Sequence, residues 1–126
     1  MPQPAIILFA HGSRDPAWSA PIQAVAQRIR HLSPQTEVRC AYLELMAPNL
    51  AGACAELVAQ GQRRIRVVPM FLGVGRHARE DLPVLLQSLQ TAHPGIELEL
   101  LPAIGESAHI VNALATLALS AGADFH

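Results

Sequence analysis

Hydrophobic residues along the chain follow two different periods, and the switches between the periods predict four successive β-α units. Runs of consecutive or alternating apolar residues predict strands at 5–10, 36–43, 64–70 and 96–101. Apolar residues at helical spacing predict helices from Trp18 to Leu32, from Leu50 to Val58, over 77–93 and from Ile110 to Ala118. The last strand alternates glutamate with apolar residues, so we expect it nearer an edge of the sheet.

Local backbone preferences set the expected helix boundaries. Proline fits the first turn of a helix, and glycine or a short polar residue is typical of an end or a cap. Asp15 and Pro16 are expected to cap and begin the first helix, and Pro21 to delay its regular part to Ser19. Gly61 is expected to end the second helix, Pro83 is a possible kink in the third, and Ser107 is a cap for the last.

Four β-α units in a row predict one α/β domain over residues 1–126, with a four-stranded parallel sheet and helices on both faces. Right-handed crossovers leave few strand orders, and we expect the flavodoxin-like order 2-1-3-4. In that order the first and third strands are neighbours. Ligands of open α/β sheets bind outside the carboxyl ends of the strands at such a switch point, so any site is expected there.

Composition narrows the function classes. The nine basic residues are all arginine and nearly balance ten acidic ones, so we expect no nucleic-acid or membrane-surface partner. Cys40 and Cys54 form no CxxC pair and are expected to be buried, reduced thiols. The N-terminus shows no basic leader, and the run AIILFA is too short to span a bilayer, so we expect a soluble cytoplasmic protein.

Two histidines follow the two strands that this order places side by side. His11 ends the first strand in AHGSRDP, and His77 follows the third in FLGVGRHARED. Their shared crevice favours a functional role over a structural one. Imidazole suits divalent Fe, Co, Ni and Zn, whereas a closed zinc site would need four ligands at tight spacing. The sequence therefore predicts a two-histidine site with open positions that holds a metal loosely and passes it on.

Glu44 follows the second strand in YLELMAP, on the same edge of the sheet. It is either a solvated loop carboxylate, a partner of the next helix start, or a group that fills an open metal position. The residues favour none of these roles over the others.

The loops around the histidines carry further candidates. Gly12 permits a tight turn and a close approach by a ligand, and Ser13 either caps the next helix or donates to a ligand. Gly73 and Gly75 form a lone GxG, which is weak evidence for a nucleotide.

Three loop arginines flank the expected crevice and are either ordinary surface residues or contacts for substrate carboxylates: Arg14, Arg76 and Arg79. Asp81 either pairs with one of them or caps the third helix. His31 and His93 fall at helix C-termini, His109 begins the last helix as a distant third candidate, and His126 is the terminal residue. Met46 and Trp18 fit either an apolar wall of the site or the ordinary core, and the core is the default expectation.

The three motifs AHGSRDP, YLELMAP and PMFLGVGRHAREDLP together resemble those of the short CbiX-type sirohydrochlorin chelatases, in order and spacing over essentially the whole chain. The resemblance implies ATP-independent insertion of Co²⁺ or Fe²⁺, or in some short relatives Ni²⁺, into sirohydrochlorin towards cobalamin or sirohaem. It implies that the metal is a substrate and not a permanently bound cofactor, and that His11 and His77 handle it. A neutral histidine or Glu44 would accept the pyrrole protons.

Longer relatives of this type carry two such domains in one chain, whereas this sequence has one HGS motif and no repeat. One domain offers one wall to a flat macrocycle, so we expect a homodimer with facing crevices.

Two rival classes stay open. A histidine phosphatase also has a histidine beside a glycine after its first strand, but its motif resembles Arg-His-Gly, and Ala10 takes the arginine position here. A non-catalytic metal or tetrapyrrole carrier would need the same ligands as a chelatase.

Overall fold

The computed structural model describes residues 3–120 and consists of four β-α units in sequence. The strands are β1 (Ala5–Ala10), β2 (Val38–Tyr42), β3 (Arg64–Pro69) and β4 (Glu97–Leu100). The helices are α1 (Ala20–Leu32), α2 (Leu50–Ala59), α3 (Arg76–Ala92) and α4 (Ala108–Leu119), with 3₁₀ turns at Pro16–Ser19 and Ile104–Glu106. Each predicted element exists, within a few residues of its predicted bounds. The C-terminal histidine at position 126 lies outside the described residues.

The four strands form one parallel sheet in the order β2-β1-β3-β4, as predicted. β1 pairs with β2 through Leu8↔Cys40 and with β3 through Leu8↔Val68. β4 pairs only with β3 and lies at an edge, which confirms the interpretation of its alternating pattern. The carboxyl ends of β1, β2 and β3 therefore lie side by side on one edge of the sheet.

The core is divided between the two faces of the sheet. One face packs against α2 and α3 through a cluster that includes Phe9, Leu57, Val67 and Leu86. The other packs against α1 through a smaller cluster around Leu8, with Val38 and Ala26. Helices thus cover both faces, as the sequence predicts. No helix among residues 3–120 is long and apolar enough to cross a membrane.

The start of α1 shows how its two prolines act. The Asp15 side chain accepts the Ala17 N–H at 2.9 Å and caps the 3₁₀ turn Pro16–Ser19. The regular helix begins only at Ala20, so the predicted delay is confirmed. Ser13 does not cap the helix, because its hydroxyl accepts the Asp15 N–H at 3.0 Å within the loop.

Most residues of helix α4 are exposed, although most of them are apolar; only Ile110 and Leu117 are half-buried. None of its residues is buried, and it contacts mainly the turn Ile104–Glu106. Ser107 stands at its N-cap position but makes no side-chain capping bond. The polar residues His109, Asn112 and Thr116 share one side, whereas Val111 and Leu114 are 55% and 43% exposed on another. A face of α4 is therefore apolar and uncovered in the single chain.

Three burial assignments are wrong or only half right. Trp18 is 39% exposed: it belongs to the short 3₁₀ turn, not to α1, and packs edge-on against Tyr42 with ring centroids 6.4 Å apart. Met46 is half-buried. Cys54 is fully buried as expected, but Cys40 is only half-buried, and neither forms a disulfide.

Candidate functional site

His11 and Glu44 meet at the carboxyl edge of the sheet. The β1–β2 pairing continues beyond the strands, because Leu43 N–H donates to Ala10 O at 2.9 Å and Glu44 N–H donates to His11 O at 3.1 Å. This register places the two side chains together, with His11 Nε2 3.1 Å from Glu44 Oε1. Both side chains are more than half exposed, at 57% and 54%. The pair therefore offers one nitrogen and one carboxylate donor to solvent at a single point.

The chain reverses sharply just after Glu44. Met46 N–H donates to Glu44 O at 2.9 Å, which closes a three-residue turn around Leu45. Leu45 has φ 67, the one non-glycine residue in the left-handed region among those the structure describes. Such backbone conformations are unfavourable for a branched side chain and occur preferentially at functional sites.

Gly12 makes room for this turn. Its φ is +103, and a Cβ at this position would lie 1.9 Å from Glu44 O. The backbone conformation that glycine permits is therefore used after β1, and the chain's own loop approaches Gly12 closely. Glycine is required here both for its backbone conformation and for space.

His77 lies in the first turn of α3, beside an apolar cavity of about 450 Å³. The walls of this cavity include Phe9, Leu43 and Phe71, with Asp81 on the helix side. Phe9 and Leu43 are each close neighbours in sequence of the His11–Glu44 pair. Of the residues predicted to share this crevice, His77 lines the cavity, whereas the His11–Glu44 pair is close in sequence to the wall residues Phe9 and Leu43 and does not itself line the cavity.

Asp81 belongs to the site, although the sequence did not mark it as a site residue. It makes none of the ion pairs found among the described residues and does not cap α3, whose cap position is Gly75; Arg76 pairs instead with Glu80, at 3.3 Å. Asp81 lines the cavity together with His77, one helical turn away. The i, i+4 spacing of the two residues is the sequence signal that indicates this shared face.

The remaining predicted residues are distributed around this edge. Ser13 and Arg14 follow His11 in the loop before α1, and Arg76 is exposed beside His77. Arg79 lines a different, smaller cavity of about 120 Å³ between α3 and the β4 end of the sheet. No atom lies within 4 Å of a Cβ built on Gly73 or Gly75, so that loop tip is open. His31 and His93 stand at helix C-termini, as expected.

Among residues 3–120 no group of three or more His, Cys, Asp and Glu side chains is close enough to hold a metal ion. The His11–Glu44 pair brings two such donors together.

Two thiols and one phenol have raised pKa values. Burial raises the pKa of the Cys40 and Cys54 thiols, and it raises the pKa of the Tyr42 phenol. These groups are kept neutral by their apolar surroundings. The free thiols are therefore held as weak nucleophiles in the core.

The fold and the site together define a class: an open parallel α/β domain with a histidine–carboxylate pair and a second histidine at its switch point. The CbiX family model matches residues 5–121, and the chain belongs to the CbiX family. A sirohydrochlorin cobaltochelatase from Methanocaldococcus jannaschii is 34% identical over 71% of this chain and 62% of its own length. One from Methanococcus aeolicus is 30% identical over 65% of this chain and 57% of its own. The chain thus matches less than two thirds of these relatives.

Solved structures show the same fold. A cobalamin (vitamin B12) biosynthesis CbiX protein from Marinobacter aquaeolei is 30% identical, with a TM-score of 0.81 over 94% of this chain and 96% of that one. The sirohydrochlorin chelatase SirB from Bacillus subtilis, solved in complex with cobalt, is 24% identical, with a TM-score of 0.78 over 94% of this chain and 50% of that one. The first is similar over nearly its whole length, and the second is about twice as long.

Proposed function

We propose that this protein is an ATP-independent chelatase that inserts a divalent metal ion into sirohydrochlorin. The observation that carries the proposal is the contact between His11 and Glu44 at the carboxyl edge of the sheet, close in sequence to Phe9 and Leu43, which line the same apolar cavity as His77. The names of the curated relatives and the family membership support the same reaction.

The side chains match the three tasks of metal insertion. An incoming divalent ion must lose water, be held at the macrocycle, and be exchanged for two pyrrole protons. Neutral imidazole at His11 and His77 is a suitable ligand for borderline metals, and it releases them more readily than a four-ligand site. Glu44, in contact with His11, is an exposed carboxylate that can accept protons and pass them to solvent.

The crevice suits a flat, carboxylate-rich substrate. Phe9, Leu43 and Phe71 give it an apolar wall. In this proposal Ser13 donates to the macrocycle, the open Gly73–Gly75 tip lets the macrocycle approach the backbone, and loop arginines bind its carboxylates. Arg14 and Arg76 are exposed near the histidines, whereas Arg79 sits at the neighbouring small cavity and would contact only a group that extends past α3.

Co²⁺ is the metal that the curated relatives favour, since they are named cobaltochelatases. Fe²⁺ and Ni²⁺ are the other candidates; Co²⁺ would lead towards cobalamin and Fe²⁺ towards sirohaem. Unpaired Cys40 and Cys54 fit action in the reducing cytoplasm.

A spectroscopic assay tests the proposal. Sirohydrochlorin is mixed anaerobically with Co²⁺, Fe²⁺ or Ni²⁺, with and without protein, and the visible-band shift is followed in time. We expect faster insertion with protein for at least one metal. Rates equal to the spontaneous ones for all three metals would refute a chelatase. Tight binding of metal or macrocycle without faster insertion would instead identify a carrier.

We further propose that the working unit is a homodimer whose crevices face each other. Exposed apolar residues border the crevice at Leu43, Leu45 and Leu72, which are 46%, 54% and 65% exposed. A specific interface needs at least about 1,000 Å² of total buried surface, and these leucines are the apolar material for it at the crevice. The uncovered face of α4, with Val111 and Leu114, is not part of this proposal, because α4 lies beside Val68 on the other face of the sheet.

Sedimentation at micromolar concentration tests this assembly. Leu72→Asp puts a charge at the border of the crevice, and Leu114→Asp makes the same change on α4 as a matched control. We expect the first variant to shift towards the 13.5 kDa monomer and the second to remain a dimer. A wild-type protein that sediments as a monomer and still inserts metal faster than the spontaneous reaction would refute the shared crevice.

A further inference from the structure

The 3₁₀ turn after β4 is hydrogen-bonded to the loop that leads to His77. Gly105 lies in this turn, Ile104–Glu106, and its N–H donates to Phe71 O at 3.0 Å. Phe71 lines the same cavity as His77 and packs edge-on against Phe9, with ring centroids 6.1 Å apart. One hydrogen bond therefore connects the far end of the sheet to the wall of the site.

Only a glycine fits at this contact. A Cβ on Gly105 would lie 1.7 Å from Leu72 O and 2.4 Å from Leu72 C. Both are backbone atoms, so no side-chain rotation can relieve the overlap. Gly105 is not in the left-handed region, unlike Gly12 and Gly61, so space alone requires the glycine.

The loop between β3 and α3 has few other anchors. Met70 N–H donates to Phe9 O at 2.8 Å where the loop begins, and Arg79 N–H donates to Gly75 O at 3.0 Å where α3 begins. Gly73 at the tip meets nothing within 4 Å of a Cβ position. The bond from Gly105 thus fixes the middle of the path from β3 to His77.

A small cavity lies where the loop, the turn and α3 come together. Its volume is about 120 Å³, and its lining includes Val74 from the loop, Glu106 from the turn and Pro83 of α3. The loop and the turn therefore lie close together near Val74 as well as at the Gly105–Phe71 hydrogen bond.

We propose that Gly105 is a positioning residue: by admitting the backbone of Phe71 and Leu72, it sets where α3 begins and so where His77 stands at the crevice. Its activity test rests on the proposed chelatase function. The sequence motifs do not indicate this role, because a lone glycine eight residues after the start of β4 carries no distinctive pattern.

Gly105→Ala is the test, with Gly95→Ala as the matched control, because a Cβ on Gly95 would make only an ordinary 3.5 Å contact with the Arg63 side chain. We expect the metal-insertion rate of Gly105→Ala to fall about tenfold or more, because an ångström-scale misplacement of a catalytic group has effects of this size. Gly95→Ala should retain the wild-type rate. Equal rates for the wild type and Gly105→Ala would overturn the proposal.

A double-mutant cycle separates positioning from general destabilisation. In a His77→Ala background, Gly105→Ala should cost little further activity if it acts through His77. An additive loss in that background would mean that Gly105 is merely structural and would also overturn the proposal.

Histidine-ring NMR signals give a readout that needs no catalysis. Gly105→Ala should shift the ring signals of His77 and leave those of His31 and His93 in place; unmoved His77 signals would refute the positioning role. If the wild type inserts no metal, the proposed function fails, and this measurement still decides the positioning.

If Gly105→Ala does not fold, amide hydrogen exchange in the wild type tests the contact instead. The Gly105 N–H should be protected from exchange, and the Gly73 N–H should not. An unprotected Gly105 N–H would count against the bracing.

Discussion

Replacement of Gly12 by alanine should separate the stability of this fold from its activity. The new methyl group would meet Glu44 O, which is 1.9 Å from the Cβ position, in a backbone with φ +103. To relieve this overlap, the turn around Leu45 must move away from β1. Because the same turn carries Glu44, the change should also pull the carboxylate away from His11.

The expected loss in the free energy of unfolding has two parts, and a control variant separates them. An L-residue in the left-handed region costs about 1–2 kcal/mol, and an overpacked contact costs about 1–3 kcal/mol more. Gly61 has φ +88 but nothing within 4 Å of its Cβ position, so Gly61→Ala carries only the first part. We therefore expect losses of about 2–5 kcal/mol for Gly12→Ala and about 1–2 kcal/mol for Gly61→Ala.

Urea unfolding at a fixed protein concentration measures both losses, and insertion of Co²⁺ into sirohydrochlorin measures activity at a temperature where each variant is folded. Gly61→Ala should keep the wild-type rate, whereas Gly12→Ala should lose most of it. The reasoning fails if Gly12→Ala is no less stable than Gly61→Ala, or if it inserts metal as fast as the wild type.

Further outcomes follow from the same geometry. Glu44→Gln should lower the insertion rate about 100-fold while it changes stability by no more than about 1 kcal/mol, since the His11 contact is exposed; a wild-type rate in this variant would leave the carboxylate without a role. His77→Ala should lose most activity and His93→Ala, at the far end of α3, should lose none, with circular dichroism as the check on folding. The raised thiol pKa values of Cys40 and Cys54 mean that the unfolded chain ionises first as pH rises, so the free energy of unfolding should fall above about pH 9. Replacement of both cysteines by alanine should flatten that slope in urea titrations between pH 7 and 10, and an unchanged slope would contradict the burial of the thiols.

Several features of the fold follow from local chemistry alone. The apolar run of β1 predicts a strand covered on both faces, and the alternating Glu97–Leu100 pattern predicts an edge strand. Asp15 and Pro16 act within a few residues, so their effect on the start of α1 is also visible in the sequence. Repetition of the β-α unit then predicts the parallel sheet and its switch point, where His11 and His77 lie.

Contacts between distant segments do not follow from local chemistry. Asp81 is expected from the sequence to pair with an arginine or to cap α3, but the rotation of the helix turns it into the cavity beside His77. Trp18 is expected in the core, yet its place in a 3₁₀ turn leaves it partly in water.

The sequence by itself determined the order of the elements, the edge of the sheet that carries the site, and the residue types that can bind a metal there, because these depend on periodicity and on neighbouring residues. Only the tertiary structure decided that Gly12 and Gly105 must be glycines for lack of space, since the atoms that crowd them belong to Glu44 and Leu72. Those residues lie more than thirty positions away along the chain. The spacing of residues within one segment carries no information about which backbone atom of another segment will stand against it.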